Sequence, residues 1–246
     1  MCLRGLSLCM SLLFHVASNS GFRVFLCFFM RKIYFVRHGQ SLANAGGVTM
    51  EHHAIPLTDI GHRQAAALSV LLPDSPSEIH VSPFVRARDT AIPYCQRVAL
   101  QPFIGDGLRE FETIDPTLLI GMTGAQRRPI ADAYWTEGDA FKRMGERAET
   151  FVEFSARVAA FKALTLPTIS DNAVVFGHGM WIAMLFWQLM AFPYDDGFAM
   201  KAFRRFQMGF PMPNGAVYCF TETAPGHWGV KANERVLRLM VDLASN

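Results

Sequence analysis

Three short, mostly apolar runs, each followed by a polar turn and then by a helical pattern, restrict the possible folds of this chain more than any other feature. The runs cover residues 33–36, 79–81 and 173–176, and their length and composition predict buried strands. The segments that follow place apolar residues three and four positions apart, which is typical of helices. Alternating strands and helices favour a mostly parallel central sheet, so we predict an α/β fold, a three-layer α/β/α sandwich.

The turns that end these runs carry side chains suited to chemistry. The first run ends at Arg37-His38-Gly39, the second at Ser82-Pro83 and the third at Gly177-His178-Gly179. In open α/β sheets, ligands bind beyond the carboxyl ends of the strands. Residues that are distant in sequence are therefore predicted to meet at one edge of the sheet.

We predict a single domain over residues 31–246. Within it, the regular pattern is interrupted at about residues 111–145, where Gly, Pro and Thr are scattered, and this segment is predicted to be a helical or irregular insertion. A long amphipathic helix is predicted for residues 146–164. A turn at Asn214-Gly215 precedes a predicted strand at 216–221, which pairs with residues 227–231 as a hairpin.

The first 30 residues form an N-terminal extension that is apolar, poor in acids and without periodicity. One interpretation is a secretory signal peptide within residues 1–18, which would make the protein exported. The other is that translation begins at Met30, directly before the first strand. We favour the second interpretation and a cytoplasmic location. A membrane span is disfavoured, because polar residues interrupt the segment.

Composition excludes several classes of function. The chain is 51% hydrophobic and 18% charged, which suits a folded domain with a large core. Its formal charge is only +2, and its Lys and Arg residues are scattered, so no nucleic-acid partner and no stable membrane partner are predicted. The five cysteines have no zinc-type spacing, and His52-His53 is interpreted as a polar loop at the pocket rim. No metal, no cofactor and no particular oligomeric state is indicated.

The strand-end residues together predict a phosphate site. Arg37 and Arg86 offer planar cationic forks, and a helix that begins near Gly179 adds backbone N–H donors for a dianion. His38 can be a nucleophile if its other ring nitrogen donates to a backbone carbonyl. His178 is predicted to donate to phosphoryl oxygens, and Glu110 to protonate the leaving oxygen and later accept a proton from water.

These residues occur within an ordered set of motifs. The set comprises Arg37-His38-Gly39-Gln40-Ser41 with Asn44, Leu57-Thr58 with Gly61, Gln64 and Ala65, Ser82-Pro83 with Arg86-Ala87 and Thr90-Ala91, Leu108 with Glu110, Glu149-Thr150 with Arg157-Val158, His178-Gly179, and Asn214. In this set the chain resembles the histidine phosphatase superfamily, also called the phosphoglycerate mutase-like family. The resemblance covers residues 31–221.

The resemblance implies a role for each matched residue. It implies a phosphohistidine on His38 and a phosphate held by three basic side chains, Arg37, Arg86 and His178. Ser41 and Asn44 would assist at the phosphate, and Glu110 would be the proton donor.

Two positions depart from the usual family pattern. Gly177 stands where Ser is common, and the Trp-Glu-Gly stretch often found after the acidic residue is missing. Glu112 lies in that region and is a rival for the acid role. We prefer Glu110, because it keeps its spacing from Leu108.

Three functions from different classes are compatible with these residues. The sequence favours a metal-independent phosphatase that acts on a small phosphomonoester. The alternative is phosphoglycerate mutase-type phosphoryl transfer, which the short segment 46–53 disfavours and the pair Arg127-Arg128 keeps open as a possible second anion contact. A non-catalytic phosphate-ligand binding protein is disfavoured by the joint presence of the predicted catalytic residues. The loop at residues 45–56 is predicted to recognise the substrate.

Overall fold

The computed structural model describes residues 30–210 and 212–245. The two interpretations of the N-terminal extension, and three of the five cysteines, fall on residues 1–29 and lie outside this range. No helix in the described ranges is long and apolar enough to cross a membrane.

The structure is built around one mixed sheet of six strands. In chain order the strands are β1 (Arg31–Arg37), β2 (Ile79–Val81), β3 (Phe103–Ile104), β4 (Ala173–Gly177), β5 (Val217–Ala224) and β6 (His227–Ala232). Across the sheet they are arranged β3-β2-β4-β1-β5-β6. The pairings among the first four strands in that arrangement are parallel, and β5 pairs antiparallel with both β1 and β6. The predicted mostly parallel sheet and the terminal hairpin are confirmed.

Helices cover both faces of the sheet. In chain order they are α1 (Asp59–Leu71), α2 (Val85–Val98), α3 (Gly124–Glu137), α4 (Phe151–Ala160), α5 (Gly179–Leu189), α6 (Gly197–Gly209) and α7 (Glu234–Ser245). One apolar core unites α1, α2 and α7 with the sheet face that carries Val36 and Phe176. The other unites α4, α5 and α6 with the face that carries Phe35 and Val175. Because side chains alternate along a strand, neighbouring residues of β1 and β4 enter opposite cores, and the three-layer prediction is confirmed.

The start of one predicted helix differs from the structure. The helix predicted for residues 146–164 begins only at Phe151, because Thr150 and Glu153 form a reciprocal capping box that ends the preceding loop. The α-helix then gives way to a π-helical turn at Phe161–Thr165. The 111–145 segment contains the regular helix α3. Its sequence shows no clear helical pattern of apolar residues, because Pro129 lies inside it and its hydrophobic face is small. The pattern also missed α6.

Candidate active site

The three turns singled out in the sequence meet at one edge of the sheet. β1, β4 and β2 are adjacent and parallel, and Arg37 pairs with Gly177 while Val81 pairs with Phe176. The strands therefore end at nearly the same level, and the residues that follow them lie side by side. The imidazole rings of His38 and His178 are 5.2 Å apart between centroids.

His38 is buried and held in one tautomer. Its Nδ1 lies 2.6 Å from the carbonyl oxygen of Gly39, and Arg86 Nε donates to its Nε2 at 3.2 Å. Because a guanidinium can only donate, Nε2 must accept and the ring proton resides on Nδ1. Burial, and then the charges of Arg86 and Arg37, hold the pKa of His38 well below 6.5. The ring is thus neutral, with its lone pair on Nε2, as required of a nucleophile.

Arg86 connects His38 to the loop that follows β1. Arg86 lies in the first turn of α2 and is buried. Its Nη1 donates to the carbonyl of His52 at 2.7 Å, and its guanidinium carbon lies 4.9 Å from the centre of the Phe84 ring. Burial lowers the pKa of Arg86 to about 10, while the nearby Glu110 opposes that shift. Arg86 therefore remains a cation at neutral pH.

His178 lies opposite His38 and is completely buried. Its Nε2 is 2.8 Å from the hydroxyl oxygen of Ser82, and its Nδ1 has no hydrogen-bond partner in the described structure. Burial, together with the charge of Arg86, holds its pKa well below 6.5. An unpartnered buried nitrogen beside two guanidinium groups is a group that a bound ligand can satisfy.

Arg37 reaches the site past the start of α5. Its Nη1 donates to the carbonyl of Met212, and its Nε is buried without a partner among the described residues. A β-carbon on Gly179 would lie 3.3 Å from that Nε, so the absence of a side chain at Gly179 makes room for the guanidinium. Burial lowers the pKa of Arg37, and Glu110 opposes this effect.

Glu110 is bound to the N-terminus of α5. Its Oε1 accepts from the backbone N–H of Trp181 at 3.0 Å and from that of Phe111 at 3.0 Å, and its Oε2 accepts from the N–H of Met180 at 3.1 Å. Arg157 supports the turn from behind through the carbonyls of residues 107, 109 and 110. The carboxylate thus occupies the positive end of a helix, near both guanidinium groups.

Glu112, the rival acid, is held differently. Its two oxygens lie 3.7 Å from His52 Nδ1 and 3.4 Å from Arg109 Nη1. Burial raises the pKa of Glu112, but the hydrogen bond and charge of His52 and the charge of Arg109 lower it by more. The net shift of its pKa is therefore downward. A carboxyl group with a lowered pKa is a poor proton donor at neutral pH, so Glu112 is poorly suited to the acid role.

Ser41 and Asn44 bind each other beside the His38 turn. Asn44 Oδ1 accepts from the Ser41 hydroxyl at 3.0 Å and from Asn214 Nδ2 at 2.8 Å. Asn214 Nδ2 also lies 3.2 Å from the carbonyls of both His38 and Gly39. Ser41 is buried and Asn44 is exposed. Their hydrogen bonds to each other and to Asn214 fix the turn that follows β1.

Three residues with evident roles in this geometry were not among the predicted site residues. Ser82 binds His178, Asn214 fixes the carbonyl side of His38, and Thr90 accepts from the Gly39 N–H at 2.9 Å while donating to Arg86 O at 2.6 Å. All three belong to the ordered motifs. Ser82 was also marked by its place after the second strand, whereas Asn214 and Thr90 were marked only by the motifs, because their partners His38 and Gly39 lie more than 50 residues away.

Gly39 stands where the His38 turn meets helix α1. A β-carbon at Gly39 would lie 2.6 Å from the carbonyl oxygen of Gly61, and one at Gly61 would lie 2.1 Å from that of Gln40. The two glycines therefore let the His38 turn lie directly on the first turn of α1. Thr58 caps that helix and donates to Gln40 Oε1 at 2.8 Å.

A cavity of about 190 Å³ lies between the loop after β1 and the 111–145 segment. Two of its lining residues are linked to the His38 cluster: His52, whose carbonyl accepts from Arg86, and Phe111, which follows Glu110 in the chain. Its apolar lining consists of Ala43, Ile55, Phe111, Ile114, Leu119 and Ala131. The remaining lining residues are Thr49, His52, Thr113 and Arg127. The loop after β1 and the 111–145 segment thus form the walls of this cavity.

The site is a concentration of positive charge, with the carboxylates of Glu110 and Glu112 near Arg86. Glu110 opposes the lowering of both the Arg37 and the Arg86 pKa, whereas the two histidines are neutral. Such a site complements a dianion. Across residues 30–210 and 212–245, no group of three or more His, Cys, Asp or Glu residues is arranged to hold a metal ion.

Comparisons with known proteins agree on one family. A family model described as "Histidine phosphatase superfamily (branch 1)" matches residues 33–230. The adenosylcobalamin/alpha-ribazole phosphatase of Salmonella typhi is 26% identical over 172 residues, which are 66% of this chain and 81% of that protein. The glucosyl-3-phosphoglycerate phosphatase of Mycolicibacterium vanbaalenii is 29% identical over 174 residues, 68% of this chain and 77% of that protein.

Solved structures share the fold. A mycobacterial glucosyl-3-phosphoglycerate phosphatase superposes with a TM-score of 0.63 at 24% identity, covering 83% of this chain and 98% of that one. A putative alpha-ribazole-5'-P phosphatase from Escherichia coli gives a TM-score of 0.65 at 24% identity, covering 82% and 96%.

Proposed function

The chain belongs to the histidine phosphatase superfamily and is a phosphatase of that family, and we propose that it hydrolyses a small phosphomonoester, without a metal ion, through a phosphohistidine on His38. The single observation that carries this proposal is the hydrogen bonding of His38. Its Nδ1 proton is held by the Gly39 carbonyl, and its Nε2 lone pair lies between the basic side chains. A neutral imidazole in this tautomer is ready to attack phosphorus.

In the first half-reaction, His38 Nε2 forms a bond to phosphorus and the bond from phosphorus to the leaving oxygen breaks. The phosphoryl oxygens take the place of His38 as acceptor for Arg86 Nε, and they also accept from Arg37 and from His178 Nδ1. These donors neutralise the charge of the transferring group, which is the main demand of phosphoryl transfer. Glu110 gives its proton to the leaving oxygen.

In the second half-reaction, water attacks the phosphorus of the phosphohistidine. Glu110 accepts the proton of that water, the bond from phosphorus to Nε2 breaks, and inorganic phosphate leaves. Glu110 is thus reprotonated for the next cycle. The unpartnered Arg37 Nε and His178 Nδ1 support the proposal, because a bound phosphoryl group would give both nitrogens an acceptor.

The named activities of the relatives support a phosphomonoester substrate. The Salmonella typhi relative is an adenosylcobalamin/alpha-ribazole phosphatase, and the Mycolicibacterium vanbaalenii relative is a glucosyl-3-phosphoglycerate phosphatase. A solved mycobacterial glucosyl-3-phosphoglycerate phosphatase in complex with VO3 is 25% identical, with a TM-score of 0.62. These names favour hydrolysis over transfer.

The test is hydrolysis of p-nitrophenyl phosphate in the presence of EDTA by the wild type and by His38→Ala. We expect EDTA-resistant turnover by the wild type, acid-labile phosphate on the quenched protein, and loss of both in the variant. Turnover that requires added metal, or full activity in His38→Ala, would refute the mechanism. Rapid formation of 2-phosphoglycerate from 3-phosphoglycerate with a bisphosphoglycerate primer would indicate a mutase instead.

A further inference from the structure

Arg157 lies behind the turn that carries Glu110, and its donors are fully occupied. Its Nε and Nη2 donate to the two carboxylate oxygens of Glu149 at 2.8 and 2.7 Å. Its Nη1 and Nη2 also donate to the backbone carbonyls of residues 107, 109 and 110, at 3.1, 2.8 and 3.3 Å. A guanidinium has five N–H groups, and these bonds supply five acceptors. Arg157 therefore differs from Arg37, whose Nε has no partner among the described residues.

Arg157 holds the turn from one side, and α5 holds it from the other. No other donor within residues 30–210 and 212–245 binds the carbonyls of residues 109 and 110. The carbonyl of Gly107 also accepts from the indole Nε1 of Trp181 at 2.7 Å, while the backbone N–H of Trp181 donates to Glu110 Oε1 at 3.0 Å. Because a carbonyl that loses its donor in a half-buried turn is unfavourable, loss of Arg157 would let the turn rearrange and carry Glu110 with it.

Glu149 fixes the direction of the Arg157 guanidinium. The side chains of Arg157 and Glu149 are only 15% and 16% exposed, and two hydrogen bonds join them. Glu149 is itself tied to the chain after the turn, because its backbone N–H donates to Glu112 O at 2.9 Å. The guanidinium carbon of Arg157 also lies 5.5 Å from the centre of the Phe154 ring. A side chain that is locked by packing and by an ion pair can hold a functional group to within about 0.5 Å.

We infer that Arg157, held by Glu149, is a positioning residue for proton transfer, because it fixes the turn that places the Glu110 carboxylate. The inference rests on the proposed function, in which Glu110 protonates the leaving oxygen. The side chains that bind phosphate lie on other turns and make no hydrogen bond with Arg157. Loss of the Arg157 contacts should therefore impair proton donation and leave phosphate binding unchanged.

Arg157→Lys tests the inference with two esters that differ in their need for a proton. The lysine keeps the positive charge beside Glu149, but its single nitrogen cannot reach three carbonyls and a carboxylate together. Values of kcat/KM for ethyl phosphate and p-nitrophenyl phosphate are compared in EDTA, since kcat/KM does not report the later hydrolysis of the phosphohistidine. We expect a loss of about 10- to 100-fold for ethyl phosphate, as for a misplacement of about 1 Å, and of less than about threefold for p-nitrophenyl phosphate. Equal losses for the two esters would overturn the inference.

Arg143→Lys is the matched control. Arg143 also binds a carboxylate, that of Glu153, and a backbone carbonyl, that of Ala148, but its side chain is 42% exposed and has no contact with the Glu110 turn. We expect this variant to resemble the wild type with both esters, and a leaving-group-dependent loss in it would overturn the inference. The inhibition constant of inorganic phosphate should change by less than about twofold in Arg157→Lys, whereas a rise of about tenfold would assign Arg157 to phosphate binding instead.

A double-mutant cycle tests whether Arg157 acts through Glu110. A positioning residue loses its effect once the group that it positions can no longer donate a proton. In the Glu110→Gln background, adding Arg157→Lys should therefore change kcat/KM for ethyl phosphate by less than about twofold, although it costs far more in the wild-type background. If the full loss persisted in the Glu110→Gln background, Arg157 would act independently of Glu110 and the inference would be wrong.

Hydrogen exchange distinguishes failure of this inference from failure of the proposed function. The amides of Met180 and Trp181 bind the Glu110 carboxylate, so they should exchange faster in Arg157→Lys than in the wild type, and not in Arg143→Lys. Unchanged exchange in Arg157→Lys would overturn the positioning role.

If the wild type hydrolyses neither ester, the phosphatase proposal fails, and the exchange rates still decide whether Arg157 positions Glu110. If Arg157→Lys does not fold, Glu149→Gln loosens the guanidinium and should give the same leaving-group dependence at a smaller size.

Discussion

Glu110→Gln separates two roles that the structure combines in one carboxylate, anchoring α5 and transferring a proton. A glutamine can keep one oxygen in place of Oε1, with its bonds from Phe111 N and Trp181 N. Its NH2 group then replaces Oε2 and faces the N–H of Met180, where the wild type has a 3.1 Å hydrogen bond. One acceptor becomes a donor, and a backbone N–H at the helix terminus loses its partner.

The cost in stability follows from that single exchange. A hydrogen bond to a charged group contributes about 1.5–3 kcal/mol to stability. We therefore expect the free energy of unfolding to fall by about 2 kcal/mol. For a protein of this size that corresponds to a decrease in Tm of about 4–8 °C. Urea unfolding and thermal scans measure both values, and the variant should remain folded under assay conditions.

The loss of activity should depend on the leaving group. A positioned general acid contributes about 10²- to 10⁴-fold to the rate. An alkyl phosphate needs that proton, because an alkoxide leaves poorly, whereas p-nitrophenolate leaves readily without it. We expect kcat of Glu110→Gln to fall by about 10²- to 10⁴-fold for a simple alkyl phosphate and far less for p-nitrophenyl phosphate.

The matched control is Glu112→Gln, which alters a carboxylate two residues away. Burial raises the pKa of Glu112, but the hydrogen bond and charge of His52 and the charge of Arg109 outweigh burial, so its pKa is lowered. Its loss of kcat should be below about tenfold, too small for a general acid, and independent of the leaving group. If Glu110→Gln slowed both esters equally, the residue would act only through the helix terminus. A leaving-group-dependent loss in Glu112→Gln would assign proton transfer to Glu112.

Three further predictions concern His38 and the glycines at the start of α5. His38 should remain neutral with its proton on Nδ1 at pH 6, because burial and the two guanidinium groups hold its pKa well below 6.5. Nitrogen-15 NMR of the imidazole measures this, and a doubly protonated, cationic ring at pH 6 would contradict the electrostatic account. Because the folded pKa lies below the unfolded one, the neutral ring contributes stability above pH 6.5 that is lost as the pH falls, so unfolding should depend less on pH in His38→Gln. Gly179→Ala places a β-carbon 3.3 Å from Arg37 Nε, whereas Gly177→Ala meets no atom within 4 Å. The inhibition constant of inorganic phosphate should rise about three- to tenfold, or about 0.7–1.4 kcal/mol, in the first variant only, and equal effects would show that Arg37 does not contact phosphate.

Local pattern was sufficient for the framework of this protein. The three apolar runs became β1, β2 and β4, because burial on both faces demands short uninterrupted apolar segments. Parallel pairing then brought the residues after those strands to one edge, which is why His38 and His178 could be expected to meet. The hydrogen bond from His38 Nδ1 to a backbone carbonyl also followed from the chemistry that a nucleophilic imidazole needs.

The rest depended on contacts that no local pattern encodes. α3 escaped the sequence interpretation because its apolar residues are few and Pro129 interrupts it, whereas α6 carries Met200, Phe203 and Phe206 at helical spacing and was overlooked. Asn214 reaches His38 across 176 positions and Ser82 reaches His178 across 96, and such pairings exist only once the sheet has formed. The sequence contains Arg127 and Gly39 but does not show what they contact. The tertiary structure places Arg127 on the loop after β1 and Gly39 on the first turn of α1. The physical reason is that the partner of a polar side chain is set by proximity in space, which the order of residues along the chain does not contain.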